Sequence, residues 1–184
     1  MVYSASVKNT GAPTPLMDIR IRDEQPADIE RIAEITQAAF QANPHNRHPE
    51  HLIIANLRRS QALALSLVAE VDGAVVGHVA FSEVEISDGS TGWFGLGPLT
   101  VKPGMQGRGV GSALVRAGLE RLRQQGARGC VLEGDPVFYR RFGFANDPEL
   151  VLEEGPQENF LALPLSGAGA RGVVIYHPAF FNGC

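Results

Sequence analysis

The chain has 184 residues, 44% of them apolar and 20% charged, with a formal net charge of -4. This suits one domain with a real core, and it offers no concentrated basic face for a nucleic-acid backbone. No apolar run approaches about 18 residues, so neither a membrane-spanning helix nor a membrane partner is expected.

Residues 1–16 open the chain with Gly, Pro, Ser, Thr and Asn and little apolar content. They read as a flexible leader without a secretory signal, and 17–184 read as the single domain. "MDIRIR" at 17–22 alternates apolar and polar, as a half-buried strand does. A helix follows over about 26–40, opened by Pro26, Asp28 and Glu30 and faced by Ile29, Ile32, Ala33 and Ile35. "QANPHNRHP" is turn-rich, and Pro49 opens a second short helix through "EHLIIANLRRS". Asp72-Gly73 joins two apolar strands as a hairpin. "DGSTG" at 88–92 turns the chain into a third strand, "WFGLGPLTVKP". Gly97-Pro98 inside it predicts a bulge or a splayed edge, since proline cannot donate to a ladder. A helix is expected over about 109–124, with Val110, Leu114, Val115, Leu119 and Leu122 inward and Gly126 as its stop. Its arginines, Arg116, Arg121 and Arg123, are interleaved with Glu120 and read as a solvated face. "GCVLEG" at 129–134 is a short buried strand, and "DPVFYRRF" a short helix with Asp135 as N-cap. "NFLALPL" and "GVVIYHP" supply two last strands. The order predicts a mixed α/β single domain.

The stretch "VKPGMQGRGVGSALV" at 101–115 stands out. A strand runs into a glycine-rich loop and then a helix N-terminus, whose first N–H groups lack internal partners and carry partial positive charge. A phosphate or pyrophosphate fits such a place, and glycines let the backbone approach it. No lysine follows the glycines, which excludes the P-loop. The dinucleotide fingerprint needs a third glycine, and finds Leu114 or Ser112 instead.

The run Gln106-Gly107-Arg108-Gly109-Val110-Gly111 satisfies Q/R-x-x-G-x-G/A. It resembles the coenzyme A pyrophosphate loop of the GNAT family of N-acetyltransferases. "DPVFYRRFGF" further resembles the family's second signature, Y-x-x-x-G-F, and "CVLEG" lies between the two motifs as the family's fifth strand does. The likeness covers roughly residues 17–180, and the tail "YHPAF" is similar to a bacterial subgroup whose substrates are uncertain.

The resemblance implies an α/β (α+β) single-domain fold. Its central sheet is mixed and mostly antiparallel, splayed between the family's fourth and fifth strands, with helices on both faces. It also implies acetyl transfer from acetyl-CoA to a primary amine of a small molecule or peptide, by direct attack in a ternary complex, with no metal. A non-catalytic, acyl-CoA-binding regulatory module is the alternative. The coenzyme would be held by Leu99, Thr100 and Val101 on the splayed strand, and by Gln106, Gly107, Arg108, Gly109, Val110, Gly111 and Ser112 in the loop. Phe138 and Phe142 would wall it. Tyr139 falls on the signature tyrosine and would protonate the leaving thiolate. Glu133 is the expected base, with Glu83, Glu85 and His78 as other candidates. Val131 and Glu133 share one face of their strand, Cys130 and Leu132 the other.

The acceptor amine is not readable from the expected acceptor loops, and the net charge tolerates a cationic one. His45, His48 and His51 read as polar loop residues before they read as a metal site. The two cysteines, Cys130 and Cys184, show no disulfide or metal spacing and suit a reducing cytoplasm. The family admits a homodimer.

Overall fold

A computed structural model describes residues 17–41, 50–153, 155–167 and 169–181. The expected leader, His45, His48 and Cys184 lie outside them. The described chain opens with β1 (Arg20–Asp23) and continues, after a 3-10 turn at Pro26–Asp28, into α1 (Ile29–Gln41) and α2 (Glu50–Arg59). The hairpin strands β2 (Leu63–Val71) and β3 (Ala74–Glu83) are followed by β4 (Glu85–Ile86) and β5 (Trp93–Val101). Then come α3 (Val110–Gln124), β6 (Gly129–Glu133), α4 (Pro136–Tyr139), β7 (Leu150–Leu152), β8 (Phe160–Pro164) and β9 (Gly172–Ile175).

Six strands form one sheet in the order β1-β2-β3-β5-β6-β8, antiparallel except for the β5–β6 pair. The hairpin turns at Asp72 and Gly73, both at positive φ, which matches the right-handed twist of the strands it joins. β4, β9 and β7 make a second, three-stranded sheet that the sequence pattern does not foretell. The first strand also begins later than expected, at Arg20.

One face of the main sheet is covered by α3. Its Val110, Leu114, Leu119 and Leu122 pack with Leu67, Val79, Phe81 and Leu132 from the strands. The opposite face is covered by α1 and α2, where Ile32, Ile35 and Ile54 meet Val68 and Val75. The second sheet extends that cover around Trp93, Val131 and Phe160. Strand alternation thus sends Cys130 and Leu132 to α3, and Val131 with Glu133 to the other side.

An ionic network ties β1 to the start of α1. Asp28 accepts from both Arg22 guanidinium nitrogens, at 2.6 and 3.0 Å, and from the Gln25 amide at 2.7 Å, so it also caps the helical segment. Glu24 accepts from Arg58 at 2.9 Å and from the Ser66 hydroxyl. The Arg22 hydrogen bonds hold the Asp28 carboxyl below its ordinary range; Glu24 is also lowered, because its hydrogen bonds and Arg58 outweigh burial. Both groups therefore add stability above the unfolded carboxylate range, and that stability is lost as pH falls through their folded values. Asp28→Asn should cost about 3 kcal/mol at neutral pH, and its urea-unfolding free energy should fall less steeply than wild type below about pH 4. Parallel acid limbs in the two proteins would contradict this role.

Candidate active site

β5 and β6 pair over three positions only, Trp93–Gly129, Phe94–Cys130 and Gly95–Val131. Beyond Gly95 the two strands part. The departure begins where Gly97-Pro98 breaks the β3–β5 register, between Val79–Leu99 and Phe81–Leu96, and the Gly97–Pro98 peptide is cis. Proline cannot donate, and in the alternation that turns the Lys102 amide to β3, position 98 also faces β3, so the strand bulges against β3; past the bulge its far half no longer pairs with β6.

Past the bulge, the Lys102 amide donates to Val76 on β3 at 2.8 Å. Backbone donors alternate along a strand, so the amides of Leu99 and Val101 point the other way, into the opening that β6 has left. The Leu99 and Val101 side chains pack on the α3 side. Thr100 turns its side chain to the opposite face, where its Oγ1 is buried without a partner among the described residues. The Gln106 side chain donates to the Val101 carbonyl at 3.2 Å and ties the loop to the end of β5.

Gly104, Gly107 and Gly109 all stand at positive φ, and a Cβ on any of them would meet no described atom within 4 Å. The loop is shaped by left-handed backbone and leaves open space above it. Gly109 is the N-cap of α3, and the first bond of the helix runs from the Ala113 amide to the Gly109 carbonyl at 2.9 Å. The amides of Val110, Gly111 and Ser112 thus remain without intrahelical partners. Gly107, Arg108 and Gly109 are exposed, while the Val110 side chain is buried under the helix. At Gly111 an added Cβ would lie 3.6 Å from both Phe138 and Val101, so loop, strand and second motif meet at one point.

That second motif is an aromatic cluster. Asp135 caps α4 by accepting from the Val137 amide at 2.8 Å, and Gly143, at positive φ, ends the following 3-10 turn. Phe138, Tyr139, Phe142 and Phe144 pack edge-on or tilted, with ring centroids 4.8–6.3 Å apart. The Arg141 guanidinium lies 5.0 Å over the Phe138 ring. Tyr139 is 9% exposed, and its ring lies where a Cβ on Gly134, just after β6, would have to be, at 2.5 Å. Burial foremost, then Cys130 and Asp135, pushes its phenol up, so the hydroxyl keeps its proton at neutral pH.

The opposite face of the fork holds Glu133, exposed at the end of β6. Its charge acts on Glu50, the first residue of α2, whose carboxyl is pushed up to about 7 by burial first and Glu133 second. On the same face the Tyr176 ring lies 2.5 Å from where a Cβ on Gly95 would stand, at the crotch of the fork. Its phenol is pushed up by burial, then by Cys130, Glu133 and Tyr139. Two tyrosines thus lie on opposite faces of the sheet, Tyr176 against Gly95 at the crotch and Tyr139 against Gly134 just past β6. Neither Glu50 nor Tyr176 stands out in the sequence. Glu50 looks like an ordinary acidic helix start, and Tyr176 like part of a strand.

The other base candidates sit elsewhere. His78 is fully buried; its Nε2 lies 2.8 Å from the Ser66 hydroxyl oxygen, which itself donates to Glu24. Burial holds the imidazole below its ordinary range, so it serves the network as a neutral residue. Glu83 and Glu85 are exposed at the end of β3 and in β4. Among the described residues no group of three or more potential metal ligands is found, and no helix is long and apolar enough to cross a membrane.

Residues 29–144 match the acetyltransferase (GNAT) family. The uncharacterized N-acetyltransferase YhbS of Escherichia coli K12 is 37% identical over 167 residues, spanning 87% of this chain and 97% of the relative. A crystal structure of a GNAT family acetyltransferase from Brucella melitensis in complex with acetyl-CoA is 44% identical. It covers 89% of this chain and 99% of that one, with a TM-score of 0.78. The structure of Escherichia coli YhbS in complex with CoA is 32% identical over 94% of this chain and 97% of that one, with a TM-score of 0.82. With a glycine loop at a helix N-terminus, a forked sheet beside it and these relatives spanning nearly its whole length, the chain belongs to the GNAT acetyltransferase family.

Proposed function

We propose that the protein transfers the acetyl group of acetyl-CoA to a primary amine, by direct attack within a ternary complex. The observation that carries this is the fork: β5 turns the free amides of Leu99 and Val101 toward a gap that opens beside a helix N-terminus. The pantetheine arm replaces β6 along residues 99–101, pairing with those amides as an added strand. The amides of Val110, Gly111 and Ser112 receive the pyrophosphate, and Gln106 and Arg108 shape the loop around it. Phe138 and Phe142 wall the coenzyme, and Arg141 adds a cation beside them. Thr100 takes part through its place in the strand. The relatives seen with acetyl-CoA and CoA support this assignment.

The chemistry needs little beyond placement and charge handling. The amine lone pair attacks the thioester carbon, the C–N bond forms and the C–S bond breaks. An inward amide of β5 donates to the oxyanion while it exists. Tyr139, held protonated, gives its proton to the departing thiolate. The nitrogen loses its surplus proton on the other face to Glu133, with Glu50 beside it. Two carboxyls sharing that space leave one able to hold a proton near neutral pH. The free, buried thiol of Cys130 suits a reducing cytoplasm. A non-catalytic acyl-CoA-binding module would need the fork but not a protonated tyrosine and a carboxylate pair on its two faces.

Initial rates of thiol release from acetyl-CoA test this reading. Double-reciprocal plots for acetyl-CoA and a turned-over amine should intersect, with no burst of free CoA in the absence of amine. Parallel lines with a burst would mean an acetyl-enzyme and overturn direct attack.

A further inference from the structure

The fork closes at Gly95, the last β5 residue still paired to β6. Its bare Cα is covered by the Tyr176 ring. A Cβ placed on Gly95 would lie 2.5 Å from Tyr176 Cε1, 3.1 Å from its Cδ1 and 3.2 Å from Val84 Cγ1. Cε1 is the closer ring atom, so the hydroxyl-bearing half of the ring reaches over the strand. The ring is held in place from behind. β9 ends one residue earlier, at Ile175. Phe180 meets the Tyr176 ring edge-on, with centroids 5.0 Å apart. His177 caps the 3-10 turn between them, its Nδ1 accepting from the Ala179 amide at 3.1 Å, and Ala179 is buried with Ile53 and Leu57 of α2. Tyr176 and Val84 also line a cleft of about 560 Å³ to which Gly95 does not contribute. These two side chains therefore stand between the crotch and the cleft.

We propose that Tyr176 is the end wall of the acyl pocket, so that the protein accepts acetyl-CoA and rejects longer acyl-CoA donors. The inference rests on the acetyltransferase reading above and adds the residue that sets its acyl-donor specificity. With the pyrophosphate at the N-terminus of α3 and the arm running along Val101 and Leu99, the thioester lies toward the closed end of the fork. The methyl of an acetyl group then comes to Gly95 and the Tyr176 ring. Each further methylene has to displace that ring, and a close-packed wall anchored on α2 resists displacement. Taking the ring away would join the crotch to the cleft behind it. A longer chain would then gain a path past the apolar Val84 and Ile86, both of which line the cleft.

Isothermal titration with acetyl-CoA and butanoyl-CoA tests this without an acceptor amine. Wild type should bind acetyl-CoA at least about tenfold more tightly than butanoyl-CoA. Tyr176→Phe keeps the ring and should keep that ratio. Tyr176→Leu should narrow it, and Tyr176→Ala should bring the two affinities within about threefold by tightening butanoyl-CoA. A circular dichroism spectrum like that of wild type shows that a variant is folded; should the alanine variant not fold, the leucine variant carries the comparison. Equal affinities in wild type, loss of the ratio in Tyr176→Phe, or a wild-type ratio in a folded leucine or alanine variant would overturn the wall and leave the acetyltransferase reading standing. No binding of either acyl-CoA to wild type would overturn both.

Discussion

Tyr139→Phe should lower kcat by about a hundredfold to a thousandfold while leaving acetyl-CoA affinity within about twofold of wild type. The phenyl ring keeps every packing contact of the native side chain, including those to Phe138 at 4.8 Å and Phe144 at 5.8 Å. Among the described residues the Tyr139 hydroxyl makes no hydrogen bond, so its removal leaves no protein group newly unpaired. Folding stability should hold, and the loss should fall on the chemical step. Burial pushes the phenol well above its ordinary range, so it stays an O–H throughout the working pH range; the same shift weakens it as an acid, so the proposed donation rests on position and not on acidity. In the proposed reaction the thiolate forms beside this hydroxyl, and the variant removes that donor. Single-turnover thiol release in the variant checks this directly. A kcat equal to wild type would remove Tyr139 from the proton path.

Gly109→Val should weaken acetyl-CoA binding by at least about a hundredfold, a loss of roughly 2.7 kcal/mol. Two effects act together. Gly109 sits at φ +89, where a β-branched residue is strained by about 1–3 kcal/mol, so the loop must shift or bear that cost. Its Cβ would also project into open space beside the helix N-terminus, where the proposed pyrophosphate would approach bare amides. The helix itself should survive, since Val110, Leu114, Leu119 and Leu122 anchor it to the sheet. Gly73→Val separates the two effects. Gly73 stands at φ +75 with open space around it, in the β2–β3 turn. It should lose stability and retain affinity. Isothermal titration with acetyl-CoA reads both variants, and wild-type affinity in Gly109→Val would refute the pyrophosphate site.

What could be read in the sequence was what is local. The glycine loop declares itself because positive φ and bare backbone demand glycine at fixed positions, and the helix of Tyr139 because an Asp-Pro cap and a Gly143 stop bracket it, while the role expected of Tyr139 comes from the resemblance to the Y-x-x-x-G-F signature alone. Gly97-Pro98 foretold the bulge past which β5 and β6 no longer pair, since a missing donor disrupts the β3–β5 ladder there. The second sheet was not legible: β4 has two residues and β7 three, too short for an alternation to register. The surroundings of Glu133 were hidden for another reason. Glu133 acts electrostatically on Glu50 and on Tyr176, which come from segments far apart in the chain, and no local pattern encodes that. Gly95 and Gly134 were hints of a kind. Each lacks a side chain because a tyrosine ring needs the space, and a glycine alone does not say whose ring it is. His78 shows the opposite limit, for a strand histidine reads as chemistry until its burial beside Ser66 gives it a structural role.

Every role proposed for this site depends on the fork between β5 and β6 being the coenzyme's seat. A crystal structure of the protein with acetyl-CoA measures this most directly. The pantetheine amides should lie within hydrogen-bond distance of the Leu99 and Val101 backbone, the pyrophosphate on the amides of Val110, Gly111 and Ser112, and the thioester sulfur near the Tyr139 hydroxyl. Acetyl-CoA bound elsewhere, with β5 and β6 parted around an empty gap, would contradict it.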